Sequence, residues 1–235
     1  MIIFQFMQGA KKLAVVATGI LLAVALSGQV MAKDELPEVS SDGLHLVKDS
    51  KVAVAYAKQG IDLTQFNKVK ILDCYVAFKE NWARDYNLNE VGLSGRVNDK
   101  DMDAIKGRLA NAFKEVFEEQ LTEAGHEVVE EGGPGVLLLR PAIINLDVNA
   151  PDIMKASRGN TWVNSVGEMT LYLELYDAED NTLLARAIDP KAGRNGGMAT
   201  RANRASNSAE AKRILRQWAD QLASHLGEVK QQTGG

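Results

Sequence analysis

Side chains that could act as nucleophiles or bind a metal are few in this sequence, and they stand far apart. The chain of 235 residues has one cysteine, Cys74, and three histidines, His45, His126 and His225. A metal centre needs several such ligands at a spacing that lets one turn or one helix face present them together. These residues do not have that spacing, so we predict neither a metal site nor a cofactor.

Motifs that join a nucleophile to a base do not stand out either. The sequence contains no Gly-x-Ser-x-Gly turn, and its glycine-rich segment 193–197 lacks the spacing of a phosphate-binding loop. Carboxylates are abundant, but Glu168 and Glu174 fall on the polar side of a predicted strand, where solvent explains them. We therefore expect a protein that is not an enzyme.

Two long connections hold the residues that favour a binding role. The first, Lys79–Asp99, contains Trp82, Arg84 and Tyr86, whose types suit contacts between proteins. The second, Asp189–Ser206, carries four basic side chains in an acidic chain: Lys191, Arg194, Arg201 and Arg204. This combination favours contact with an acidic partner or with anionic lipid head groups.

The elements that must position these connections predict an α+β fold, in the order strand, helix, four strands, helix. Apolar residues recur every three or four positions in the predicted helices Lys100–Ala124 and Ser208–Val229. The predicted strands are Val69–Phe78, His126–Glu130, Val136–Val148, Gly167–Asp177 and Thr182–Ile188. Two amphipathic helices on one face of a mainly antiparallel sheet would bury all the apolar stripes.

The first 32 residues have the layout of a secretory signal. Lys11 and Lys12 precede the apolar run 13–26, and Val30 and Ala32 are small residues at the positions that a signal peptidase reads. The run is shorter than the roughly 20 residues that span a membrane. We predict cleavage between Ala32 and Lys33 and a periplasmic protein. An uncleaved N-terminal segment that tethers the chain to the membrane is the alternative.

The mature chain is predicted to form one α/β domain, residues 51–229, preceded by a flexible lead-in, residues 33–50, and followed by a disordered tail, residues 230–235. Met7 would begin a more ordinary signal than Met1 does. The net charge is −4, which argues against general binding of nucleic acid. With one cysteine the chain forms no internal disulfide, and Cys74 is expected to be a small buried residue.

Several segments resemble a bacterial family, the domain of unknown function 3313. They are residues 60–69 (GIDLTQFNKV), 133–140 (GPGVLLLR), 167–177 (GEMTLYLELYD), 183–186 (LLAR) and 218–219 (WA). The resemblance covers about residues 50–227 and consists of structural signatures. It implies an envelope protein, often lipid-anchored through a cysteine at the cleavage site. Here Lys33 follows Ala32 instead, which implies a released protein.

These observations predict an exported, soluble periplasmic protein that acts as a non-enzymatic binding or adaptor module of the cell envelope. Its expected partner is another envelope protein, and its association with the membrane after cleavage is expected to be weak or absent. Two alternatives stay open. One is a carrier that holds a small ligand between the sheet and the helices, and the other is a carboxylate-dependent hydrolase.

Overall fold

The computed structural model describes residues 36–63, 65–90, 95–149, 161–163, 167–193, 200–202 and 204–232. Within these ranges, the side chains of residues 161–163, 200–202, 204–206 and 228–232 are not described. The predicted signal with its cleavage site at Ala32 and Lys33 therefore lies outside the described residues, and so do Arg194 and the end of the predicted tail, residues 233–235.

Ten strands and three helices follow one another in the described part of the chain. They are β1 (His45–Leu46), β2 (Val54–Ala57), β3 (Lys68–Ile71), β4 (Tyr75–Phe78), α1 (Trp82–Asn89), α2 (Asp99–Glu123), β5 (Glu127–Val128), β6 (Val136–Asp147), β7 (Thr161–Val163), β8 (Glu168–Asp177), β9 (Leu183–Ala192), β10 (Thr200–Ala202) and α3 (Arg204–Gln232). Within this part of the chain, no helix is both long enough and apolar enough to cross a membrane.

Eight of these strands form one mixed sheet in the order β1-β2-β9-β8-β6-β3-β5, with β4 also paired to β6. The pairs from β1 to β6 are antiparallel, whereas β3 and β4 run parallel to β6. β7 and β10 form a separate antiparallel pair. The predicted α+β fold with a mainly antiparallel sheet is confirmed.

The two long helices pack against one face of this sheet and against each other. α2 begins with a capping box, in which Asn98 and Asp101 each accept a hydrogen bond from the backbone N–H of the other. Phe113 and Phe117 of α2 and Trp218 of α3 are fully buried in the main core. Each such side chain contributes about 2 kcal/mol through removal of its apolar surface from water.

The predicted single strand Val69–Phe78 is two strands, β3 and β4, separated by residues 72–74. Ile71 pairs with Leu139 and Tyr75 with Ala142, so the interruption holds one residue more than the facing stretch of β6. An extra residue of this kind reverses the alternation of side chains. Consequently Val69 and Val76 are both buried in the same core, whereas one continuous strand over Val69–Phe78 would place them on opposite faces.

The break in β3–β4 lies opposite Pro141 of β6. Proline has no backbone N–H to donate, so a neighbouring strand loses a hydrogen bond there. Pairing with β3 ends at Leu139 and pairing with β4 begins at Ala142. The pairing of β6 is therefore interrupted at Pro141 on its parallel side, while Pro141 remains in register with Leu173 of β8.

Both predicted long connections contain regular structure. The first includes α1, and the second includes the end of β9, all of β10 and the start of α3. β9 continues to Ala192 because its pairing with β8 extends past Asp189, whose side chain hydrogen-bonds within the core. The prediction that Asp189–Ser206 is a polar loop is wrong over the part of it that the structure describes.

The ends of the predicted domain also carry structure. β1 and the buried Leu44 lie within residues 33–50, which were predicted to be a lead-in. α3 continues to Gln232, past the predicted end at Val229. Both features lie in segments of mainly polar composition, so the sequence pattern does not indicate them.

Candidate functional site

We call the face of the sheet that points away from α2 and α3 the outer sheet face. Paired residues on neighbouring strands point to the same side of a sheet, so the strand register defines this face. Its three rows are Lys70–Leu138–Tyr176, Arg140–Glu174–Arg186–Tyr56 and Tyr75–Ala142–Tyr172–Ile188–Val54.

Glu174 lies at the centre of the outer sheet face and is only 7% exposed. Its Oε1 accepts hydrogen bonds from the Tyr172 hydroxyl at 2.9 Å and from Arg186 Nη2 at 2.9 Å. Its Oε2 accepts one from the Tyr176 hydroxyl at 2.8 Å. Arg140 Nη1 lies 3.7 Å from the same Oε2. The prediction that solvent alone explains Glu174 is wrong.

The protonation of this cluster follows from its contacts. Burial acts to raise the pKa of Glu174, but hydrogen bonds from Tyr176, Arg186 and Tyr172 outweigh it and hold that pKa below its ordinary value. Burial and the hydrogen bond to Glu174 raise the pKa of both tyrosines. A carboxylate that is already fully hydrogen-bonded and weakly basic is suited to fixing neighbouring side chains, not to accepting a proton from a substrate.

The segment before β1 covers one end of the outer sheet face. Asp42 Oδ2 lies 2.7 Å from Arg186 Nη1, and the Tyr56 hydroxyl donates a hydrogen bond to the carbonyl of Pro37. A turn closed by the Ser40 side chain positions Leu44, which is 2% exposed. These contacts shield the Arg186 end of the central row and leave its Arg140 end open to solvent.

The open end of the outer sheet face presents large aromatic and basic side chains. Tyr75 is 66% exposed, although it lies in a strand, and the Arg140 side chain is exposed as well. Tyr172, Tyr176 and Leu138 around them are half-buried. Tyrosine and arginine beside partly buried apolar side chains are typical of the centre of a protein interface.

A separate cavity of about 220 Å³ lies between the helices and one end of the sheet. Its walls come from the first half of α2, the first half of α3, the end of β6 and the start of β8. The apolar lining includes Ile105, Leu109, Leu146, Met169, Ala211 and Ile214. This is the place, between sheet and helices, where a small-ligand carrier was expected to hold its ligand.

Gly167 shapes one wall of this cavity. Its φ of 138° is a conformation that residues with a side chain rarely adopt, and an added Cβ would overlap the backbone carbonyl oxygen of Asp147. The register of β6 against β8 shifts between Ile144 and Asp147, directly beside it. The glycine therefore permits the close approach of the two strands at the cavity.

Trp82, Arg84 and Tyr86, the candidate binding residues of the first connection, all lie in α1. Trp82 is 6% exposed and stacks on Phe78 at 4.2 Å and on Tyr86 at 5.7 Å, which makes it a core residue and not a contact surface. The Tyr86 hydroxyl donates to Glu90, and burial together with this bond raises its pKa. Arg84 is exposed and pairs with Asp85.

The described basic residues of the second connection lie in three different elements. Lys191 Nζ lies 3.2 Å from Asp189 Oδ2, and its side chain is 26% exposed. Arg201 lies in β10, in register with Trp162 of β7, and Arg204 is the first residue of α3. Arg194 lies outside the described residues. Lys191 thus pairs with the buried Asp189 and is not part of an open basic surface.

Cys74 and the histidines form no reactive group in the part of the chain that the structure describes. Burial raises the pKa of the Cys74 thiol to about 12, against a smaller lowering by a backbone hydrogen bond from Ile143. The predicted burial of Cys74 is confirmed. Over the same described residues, no three histidine, cysteine or carboxylate side chains are grouped to hold a metal ion.

Sequence reasoning missed the Glu174 cluster although two signals pointed to it. Tyr172, Glu174 and Tyr176 are spaced by two, so they share one strand face. The turn at residues 178–182 sets Arg186 opposite Glu174 in the hairpin. The sequence could not show that the segment around Asp42 covers this cluster, because that contact spans most of the chain.

The family model described as "Protein of unknown function (DUF3313)" matches residues 39–222. No curated protein matches the chain significantly. Among solved structures, the chain is similar to a PelC dodecamer from Paraburkholderia phytofirmans, with 10% identity, coverage of 71% of this chain and 96% of that one, and a TM-score of 0.37.

Two further structures are similar at the same level. One is a DUF330 protein from Xanthomonas campestris, with 12% identity, coverage of 71% and 87%, and a TM-score of 0.37. The other is a minor lipoprotein from Acinetobacter baumannii, with 7% identity, coverage of 70% and 95%, and a TM-score of 0.34. Likenesses this weak carry no information on function.

Proposed function

The chain belongs to DUF3313, a family of proteins of unknown function, and from this premise we propose that it is an exported module of the cell envelope that works by binding another envelope protein and not by catalysis. The open end of the outer sheet face is the binding surface. The observation that carries this proposal is the pair of exposed side chains, Tyr75 and Arg140, at the centre of that surface.

Glu174 supports a binding role because it makes the surface rigid. It fixes two tyrosine hydroxyls and one guanidinium at once, so these side chains lose little conformational freedom when a partner binds. The same hydrogen bonds leave Glu174 unsuited to general base catalysis. A rigid surface of this kind favours association over chemistry.

The charge of the outer sheet face indicates the type of partner. Lys70 and Arg140 point outward beside Tyr75 and Tyr176, and the buried Glu174 is already paired. The chain as a whole carries a net charge of −4, so this basic region differs from the rest of the molecule. It is complementary to an acidic protein surface.

Export is supported by the sequence of the first 32 residues, where a basic pair, a short apolar run and a small-residue cleavage site follow one another. The mature protein then begins at Lys33 and is released into the periplasm. Fractionation of producing cells, with N-terminal sequencing of the protein in the soluble periplasmic fraction, tests this step. Full-length protein in the membrane fraction would contradict it.

Site-specific photo-crosslinking in the same cells tests the binding surface. A photoreactive amino acid replaces Tyr75 in one version of the protein and Leu88 in another. Leu88 is a matched control, because it is 76% exposed and lies on α1. We expect position 75 to give one discrete crosslinked product with an acidic envelope protein, identified by mass spectrometry, and position 88 to give none.

A charge reversal then distinguishes the proposed contact from chance proximity. Arg140→Glu introduces a carboxylate at the exposed end of the central row, and we expect it to reduce the product at position 75 at least about fivefold, since like charges across an interface are unfavourable. Equal products from positions 75 and 88, or a product that Arg140→Glu leaves unchanged, would overturn the proposal.

A further inference from the structure

We propose that the cavity between the helices and the sheet is a binding site for a small, mainly apolar molecule with an uncharged polar end. This inference does not depend on the partner-binding role, since the cavity lies on the helix side of the sheet and the outer sheet face on the other.

The size and lining of the cavity set the apolar part of the ligand. Protein interiors are packed so closely that voids larger than one water molecule are few, and an aliphatic cavity of about 150 Å³ holds a benzene molecule. A cavity of about 220 Å³ lined by Leu109, Leu146, Met169 and Ile214 therefore fits a ligand with about nine non-hydrogen atoms.

The charged lining residues set the polar end of the ligand. Asp147, Glu168 and Glu210 contribute three carboxylates to the lining, and Arg108 contributes one guanidinium. Asp147 and Glu210 pair with Lys79 and Arg213, two cations that do not line the cavity. Counted with these partners, the charges of the described residues at the site sum to zero, so they favour neither an anion nor a cation. A polar end without a charge avoids the cost of removing a charge from water.

Small residues in the lining keep this space open. Gly167 lets β8 approach Asp147 without a side chain, and Ala112 and Ala211 are small residues where the two helices face the cavity. A larger side chain at either alanine would fill the volume that we assign to the ligand. The site can therefore be blocked without a change of charge.

Calorimetric titration of the intact protein with 1-octanol, octylammonium and octanoate tests the proposal. The three probes share an eight-carbon chain and differ in the charge of the polar end. We expect saturable binding of 1-octanol, and at least about tenfold weaker binding of both octylammonium and octanoate, in line with the cost of removing a charge from water. No saturable binding of 1-octanol, or equal binding of either ion, would overturn the proposal.

Two variants locate the binding. Ala112→Leu fills the cavity from α2 and is expected to weaken 1-octanol binding at least tenfold, whereas Ala104→Leu makes the same change at an exposed position of that helix and is expected to bind normally. If Ala112→Leu does not fold, Ala211→Leu fills the cavity from α3. Unchanged affinity in a folded cavity-filling variant would contradict the assignment of the site.

Discussion

At the scale of single residues, Glu174 is a constrained side chain that the sequence presents as ordinary. Glu174 occupies an outward position in a strand that alternates apolar and polar residues, yet it is buried and holds Tyr172, Tyr176 and Arg186. Removing one partner of a buried ion pair is costly because it leaves the other charge uncompensated. The stability of the outer sheet face should therefore depend on the ionisation of this carboxyl.

Glu174→Gln is expected to lower the free energy of unfolding at pH 7 by about 3 kcal/mol, measured by urea denaturation. The pKa of Glu174 is lower in the folded protein than its ordinary value, so the carboxylate stabilises the fold above the unfolded pKa of about 4.3. That stabilisation is lost as the pH falls through the folded pKa. The difference between wild type and variant should shrink toward zero in acid.

Glu127→Gln is the control for this prediction, because Glu127 is also ion-paired, with Lys68 at 3.5 Å, but is exposed. We expect this variant to change stability by less than about 1 kcal/mol. If Glu174→Gln lowered the free energy of unfolding equally at pH 7 and in acid, the changed shape of the side chain, and not the loss of its charge, would explain the destabilisation.

At the scale of elements, Asp189 joins three parts of the fold. Its Oδ2 accepts a hydrogen bond from Trp218 Nε1 at 2.8 Å, and its Oδ1 accepts one from the Ala53 N–H at 2.9 Å. The first bond ties α3 to β9, and the second ties the chain before β2 to the same strand. A buried carboxylate that satisfies two donors positions the helix more specifically than apolar contact alone.

Asp189→Ala is expected to destabilise the protein by about 3 kcal/mol, because the buried Trp218 Nε1–H and the partly buried Ala53 N–H lose their acceptor. Asp189→Asn keeps one acceptor oxygen and should cost less. Denaturation of Asp189→Ala, Trp218→Phe and the double variant forms a cycle that isolates the bond to α3. A coupling energy near zero would contradict the proposed role of Asp189 in docking the helix.

The sequence predicted the elements whose pattern is local. The apolar stripe of α2 and the alternation of Met169 to Leu175 in β8 each need only neighbouring residues, and both are confirmed. The break between β3 and β4 depends on Pro141, which lies far along the chain, and no local pattern indicates it. Asp42 contacts Arg186, the partner of Glu174, from far away in the sequence. No local pattern therefore indicates the candidate surface.

At the scale of the whole molecule, the reactivity of the Cys74 thiol depends on how often the core opens. The thiol lies among side chains of β4, β6 and α2, and burial raises its pKa to about 12. A thiol in this state is neither exposed nor ionised at neutral pH, and it reacts only after the structure opens. Reaction of Cys74 therefore measures the opening of the molecule.

Labelling of Cys74 with a maleimide at pH 7 is expected to be at least about a thousandfold slower in the native protein than in urea, as a marginal stability of roughly 5 kcal/mol implies. The rate should rise with urea in parallel with global unfolding measured by circular dichroism. Rapid labelling of the native protein would show that the segment between β3 and β4 opens independently of the rest.

The parallel pairing of β3 with β6 has a consequence for the order in which the protein assembles. The β8–β9 hairpin closes over one short turn, whereas residues 68–71 must find residues 136–139 after α1, α2 and β5 have been traversed. Such long loops close slowly, and contacts distant in sequence form late. Until β3 docks, the apolar edge of β6 is unprotected, and self-association during refolding should start there.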